Sequence, residues 1–297
     1  MTRTLLVLLY LPVFVGFPSA LRAQDMPLSQ VLIDGEGWQL LGAGYKFTEG
    51  PAADAQGNVF FTDVPENKIY KIDTEGKISV FATDTAATNG LMFGPDGRLY
   101  GCRNGEQKIV AYDSEARVHT IAEGVHSNDI VVTSKGEIYF TDPPNGQVWH
   151  VNTRGEKRVV AKDLQPNGVI LWPGEETLVV TDGSAPHLWA FRVETDGSLN
   201  FKERYYSPLR IPPGATRPGS DGMTVDKEGR LYVATLAGLQ MFDTTGRPGG
   251  VILKPQDKFL SNVTFGGPKF DSLYVTCTDR VYRRKTKTAG APYFLKK

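Results

Sequence analysis

Six oxygen-bearing side chains, Glu49, Asn89, Asn128, Asn167, Asp221 and Asn262, recur along the chain at gaps of 40, 39, 39, 54 and 41 residues. Carboxylates and amide carbonyls are hard oxygen donors, and a set of them brought to one point suits a divalent cation such as Ca2+ or Mg2+. No cysteine or histidine belongs to the set, which sets it apart from a dedicated zinc site. Its two carboxylates carry −2, the charge that one divalent ion balances without leaving a surplus buried. A purely local reading competes. Glu49, Asn89, Asn167 and Asp221 each precede a glycine, and Asn-Gly and Asp-Gly are ordinary turn dipeptides. Against that reading, Glu is a poor turn former, and Asn128 and Asn262 persist where the next residue is Asp129 or Val263.

A period near 40 residues is the signature of a β-propeller with four-stranded blades, whose ring brings equivalent positions to one axis. Gly57, Gly97, Gly136 and Gly229 each lie eight residues past an anchor, where a short hairpin turn needs positive φ. Strand-like runs follow: NVFFTD from Asn58, RLYGCR from Arg98, EIYFTD from Glu137, TLVVTD from Thr177, RLYVAT from Arg230 and SLYVTC from Ser272. Third strands begin near Lys68, Lys108, Gln147, His187, Gly238 and Arg280, and fourth strands near Lys77, Arg117 and Lys157. The sixth copy has no fourth strand of its own. The segment from Trp38 is expected to complete that blade, giving an all-β, six-bladed propeller closed by an N-terminal strand. The one long gap contains SPLRIPPGATRPGSDG, read either as a rim loop over the anchors or as a plain surface excursion.

Residues 1–23 carry Arg3, an apolar run from Leu5 to Phe17 and a small-residue exit at Ala23. This pattern predicts a signal peptide, the run being too short to span a bilayer, and hence a periplasmic or secreted protein. The expected organisation is a signal peptide at 1–23, a lead-in at 24–37, the propeller at 38–291 and a tail at 292–297. The chain has 33 Lys plus Arg and 33 Asp plus Glu, a balance that offers nothing to nucleic acid. Cys102 and Cys277 fall in blades two and six and are expected to be free thiols. No GxSxG, HExxH, P-loop or CxxC pattern occurs. Asp182, Ser184 and His187 crowd one stretch but read as packing, His119 and His150 read as surface residues, and Phe60, Tyr100, Tyr139, Tyr232 and Tyr274 as packing between blades.

The segments FTEGPAADAQGNVFFTD, SNDIVVTSKGEIYFTDPP, PNGVILWPGEETLVVTD and SDGMTVDKEGRLYVAT resemble the gluconolactonase and regucalcin (senescence marker protein) family, similar in architecture to diisopropylfluorophosphatase and the paraoxonases. The resemblance implies a central catalytic cation and hydrolysis of a lactone or related ester. It implies Glu49, Asn128, Asn167 and Asp221 as metal ligands, Asp221 as the acid/base residue with direct attack by its carboxylate as the competing route, and Asn128 as a contact to metal, substrate or both. Asn89 and Asn262 have no firm counterpart role. His126 stands where the regucalcin-like branch has a sugar-acid-binding arginine, so it is a candidate substrate contact and substrate preference is not carried over. Ca2+ is expected first, with Mg2+, Mn2+ or Zn2+ as substitutes. The expected partner is a small-molecule lactone, with no nucleic acid or membrane partner and a monomer as the default. The alternatives are a non-catalytic carbohydrate- or protein-binding propeller, and a phosphotriesterase or arylesterase on the same scaffold.

Overall fold

The computed structural model describes residues 27–292; the expected signal peptide at 1–23 lies outside them. Six antiparallel four-stranded sheets are arranged as the repeat predicts. The first strands of blades 1 to 6 are Thr48–Ala53, Thr88–Phe93, Ile130–Val132, Pro166–Leu171, Met223–Val225 and Asn262–Gly266. They neighbour one another in a closed cycle, blade 6 returning to blade 1, and therefore surround a central channel. Second strands such as Val59–Asp63 and Leu231–Thr235 are buried along their whole length. Outermost strands such as Val118–Glu123 are mostly exposed. Burial thus falls from axis to rim, as it must when each sheet is packed between two others.

Blade 6 is completed by Gln39–Ala43, which pairs antiparallel with Arg280–Lys285, Gln39 opposite Arg283 and Ala43 opposite Arg280. Joining the two ends of the chain in one sheet removes the exposed edge that an open array would leave. The hairpin glycines Gly57, Gly97, Gly136 and Gly229 have φ of 87°, 76°, 84° and 83°, the left-handed region the turns require. The recurring aromatics link blades: Phe60 meets Phe93 edge-on at 5.1 Å, Tyr232 meets Phe265 at 5.5 Å, and the Tyr139 hydroxyl donates to the Gly197 carbonyl at 3.0 Å.

The long gap is a strandless crossing from Glu203 to Met223, and it is docked. Leu209 is buried, its N–H donates to the Pro186 carbonyl at 2.8 Å, and the Arg210 backbone exchanges two hydrogen bonds of 2.8 Å with the Gln240 side chain. Asp182 accepts from Ser184 Oγ at 2.6 Å and from Trp189 Nε1 at 2.7 Å, so that cluster fixes a loop between strands. Cys102 and Cys277 are both free and fully buried. His119 is an exposed partner of Asp113. The surface reading of His150 is corrected: it is 2 % exposed, tilted against Tyr139 and 3.3 Å from Glu137 Oε2, because the Gly197 turn of blade 4 closes over its ring.

Candidate functional site

All six anchors lie at the start of a first strand or within two residues of it, at the same end of the ring. In blades 1, 2 and 4 the pairing register slips just there, between Glu49 and Ala52, Thr88 and Leu91, and Pro166 and Val169. A bulge re-aims the side chain it carries, and here the same irregularity recurs at three anchors. The glycines that follow the anchors answer to packing rather than to turns. A Cβ on Gly50 would collide with the Asn89 carbonyl, one on Gly90 with Asn128 and Asp129, one on Gly168 with the Asp221 carbonyl, and one on Gly222 with the Asn262 side chain. Each glycine therefore lets one blade approach the next blade's anchor. A hydrogen bond from Gly90 N–H to the Asn128 carbonyl at 2.8 Å adds to one of these joints, and the two remaining joints are tied from Thr141 Oγ1 to the Asn167 carbonyl and from Ser261 Oγ to the Thr48 carbonyl at 2.8 Å.

Glu49, Asp221 and Asn262 are 4 %, 5 % and 5 % exposed, and a third carboxylate, Asp129, is 7 % exposed. Asn262 joins two of the three: its Nδ2 donates to Glu49 Oε2 at 3.3 Å and to both Asp129 oxygens at 3.1 Å, while its Oδ1 accepts from the Val263 N–H at 2.8 Å. Glu49 Oε2 also accepts from the Gly50 N–H at 3.0 Å. Burial, and next the Asp129 charge, pushes the Glu49 carboxyl up to about 8; burial likewise pushes Asp129 up to about 7, the Asn262 amide opposing both shifts. Asp221 is raised well above the ordinary carboxylate range by burial and then by the Glu49 and Asp129 charges, opposed by the Asn167 amide. No basic side chain is among the groups that shift these three carboxyls.

Asp129 escaped the sequence reading, which saw only that a glycine was missing after Asn128. The usable signal was a carboxylate occupying the slot that glycine fills in four other blades. With all three carboxyls ionised, the axial charge is −3 rather than −2. Asn128 itself is half-buried, its N–H bonded to the Thr141 carbonyl at 2.9 Å, and His126 is half-buried two residues upstream. Asn89 Oδ1 and Asn167 Oδ1 are buried with no hydrogen-bond partner. The Asn167 amide acts on Asp221, so its orphaned carbonyl oxygen and the uncompensated carboxylates form a donor set that fits a hard divalent cation. Among the described residues no three His, Cys, Asp or Glu side chains are grouped as a metal site, so the fit rests on carboxylates together with amides.

Below the anchors, Asp129, Asn262, Pro51, Leu91 and Met223 line a narrow cavity. It shares Met92, Ile170, Thr224 and Thr264 with an apolar cavity farther along, bounded by Ala53, Phe265, Ala291 and Pro292. The channel is thus polar at the anchor end and apolar at the other.

Residues 47–279 match the SMP-30/Gluconolactonase/LRE-like region model. The chain belongs to that family. It is 25 % identical over 300 residues to the gluconolactonase of Zymomonas mobilis, spanning 85 % of this chain and 82 % of that one. It is 31 % identical over 238 residues to lactonase drp35 of Staphylococcus aureus, spanning 70 % and 69 %. Among solved structures, a gluconolactonase from Xanthomonas campestris superposes with a TM-score of 0.77 at 27 % identity, covering 87 % of this chain and 92 % of that one. A calcium-binding regucalcin from Agrobacterium tumefaciens gives 0.73 at 18 %, covering 87 % and 97 %, a likeness of fold.

Proposed function

We propose that the protein is a divalent-cation-dependent lactonase, a hydrolase that opens a sugar-type lactone ring at the anchor end of the channel. The observation that carries this reading is a set of three buried carboxyls that shift one another without a basic partner, together with the Asn167 amide, which acts on Asp221 and whose Oδ1 lacks a hydrogen bond. Relatives named gluconolactonase and lactonase support the choice of substrate class.

Glu49, Asn128, Asn167 and Asp221 would hold the cation, Ca2+ first among the candidates. When bound, it supplies Lewis-acid polarisation of the lactone carbonyl and charge stabilisation as the oxyanion develops. Asp221 takes the proton of the attacking water and returns it to the ring oxygen as the acyl–oxygen bond breaks, leaving a hydroxy acid. Asn128 orients the lactone, and His126 faces the part of the substrate that the regucalcin-like branch meets with arginine. Residues 1–23 direct the chain to the periplasm or outside the cell, where it works as a monomer.

The test is acid release from aldonolactones, lipophilic lactones and aryl esters, with the spontaneous rate subtracted, before and after chelation. Chelator-sensitive turnover of an aldonolactone is expected. Bound metal with no chelator-sensitive turnover of any substrate would leave a binding module instead.

A further inference from the structure

Asn262 is the one anchor whose side chain is pinned at both ends. The Val263 N–H fixes its Oδ1, so its Nδ2 has to face the axis, where it meets Glu49 Oε2 and both oxygens of Asp129. The three residues come from blades 6, 1 and 3, and 133 and 213 positions separate the bonded pairs. An amide is the one uncharged side-chain type that can accept from its own strand and donate to two carboxylates at once. Both bonds to Glu49, from Gly50 and from Asn262, fall on Oε2. This leaves Oε1 as the oxygen of Glu49 that is presented to a ligand.

We propose that Asp129 and Asn262 form a cross-channel strut that positions Glu49: Asp129 holds the Asn262 amide, and the amide holds Glu49 Oε2 so that Oε1 points to the cation. The inference rests on the cation-binding reading above and assigns roles to two residues outside its ligand set. Asp129 also occupies the space opened by Gly90, whose Cβ would lie 2.6 Å from Asp129 Oδ1, so the strut is built into the packing of blades 2 and 3. Partners that orient a ligand in this way typically change metal affinity by about 10- to 100-fold when removed.

Calorimetric titration of the chelated full chain with CaCl2 tests the strut without reference to any lactone. Asp129→Ala and Asn262→Ala should each weaken calcium binding by about tenfold, and the double variant should be no weaker than Asn262→Ala, because both act through one bond chain. Asp129→Asn, which keeps an acceptor for the Asn262 amide, should recover most of the loss. Thermal melts of the chelated variants separate this from a general loss of packing, since Asp129→Asn should melt at or above wild type. Losses that multiply in the double variant would make Asp129 an independent ligand and overturn the strut, as would calcium affinity within twofold of wild type in Asp129→Ala. Wild-type protein that takes up no calcium would overturn the cation reading itself, and with it the strut.

Discussion

The same propeller buries carboxylates in two places, one on blade 5 and three on the axis, and balances them in opposite ways. At the far end of blade 5, Asp226 is fully buried, yet Arg230 Nε lies 2.6 Å from its Oδ2, joined by the Tyr232 hydroxyl at 2.9 Å and Thr288 Oγ1 at 3.2 Å. The chain supplies its own cation there. On the axis Glu49, Asp129 and Asp221 are buried too, and the groups that shift them are one another and amides, with no basic side chain among them. Unpaired buried charge is costly; the fold provides an arginine in one place and none in the other, which accords with the cation-binding reading proposed above.

Breaking the axial cluster at its reactive member should have the largest effect. Asp221→Asn keeps an oxygen donor but loses proton transfer, so turnover of the best aldonolactone should fall by about 10²- to 10⁴-fold while part of the cation affinity survives in a titration. Unchanged turnover would remove Asp221 from the mechanism. Arg230→Met is the matching lesion on blade 5. It leaves Asp226 buried and unpaired, which typically destabilises by about 3–5 kcal/mol, read as a lower denaturation midpoint. Cation affinity should be unchanged, since Arg230 reaches the Asp226 turn and not the axis. A loss of affinity in Arg230→Met would show that the two places are coupled.

The contrast also carries a pH dependence. Folding raises Glu49 from an ordinary 4.5 to about 8 and Asp129 from 3.8 to about 7, so the chelated native state binds more protons than the unfolded chain between those limits. Stability from these groups is fully present below about pH 4 and is lost as pH rises through 7 and 8. The melting temperature of chelated protein should therefore fall from pH 5 to pH 8, whereas excess Ca2+, which replaces the protons, should flatten the slope. In Glu49→Gln the slope should shrink without any added metal. A chelated protein that gains stability over this range would mean that the axial carboxyls are ionised and compensated in some other way.

The fold was legible because a ring repeats: a turn glycine eight residues past four of the six anchors, a second strand after the turn and a missing fourth strand at the end carry the architecture without any knowledge of contacts. The outer closure through Gln39–Ala43 followed from that missing strand. The site was legible only in part. The anchors at Glu49, Asp221 and Asn262 repeat in register and were found, but Asp129 is one residue out of register, and a periodic reading treats such a residue as noise. Its neighbours across the channel are a glycine of blade 2 and an amide of blade 6, relations that exist only once the ring is closed. His150 was misread for the same kind of reason, because the turn that covers it belongs to the following blade.

The two orphaned amides give the finest test, because they share one symptom and differ in surroundings. Asn167 acts on Asp221 directly, so Asn167→Ala should weaken calcium binding by about tenfold or more, as loss of a ligand or of its support does. Asn89 Oδ1 is equally without a partner, but no axial carboxyl is shifted by the Asn89 amide. An orphaned buried acceptor costs about 1–3 kcal/mol, and Asn89→Ala removes it, so that variant should melt at or slightly above wild type when chelated and bind calcium within about threefold of it. Equal losses of affinity in the two variants would make Asn89 a ligand as well and enlarge the donor ring from the residues the family resemblance implies to the full repeat. Unequal losses in the expected order would give Asn167 a share in cation binding and leave Asn89 as an anchor kept by the repeat without one.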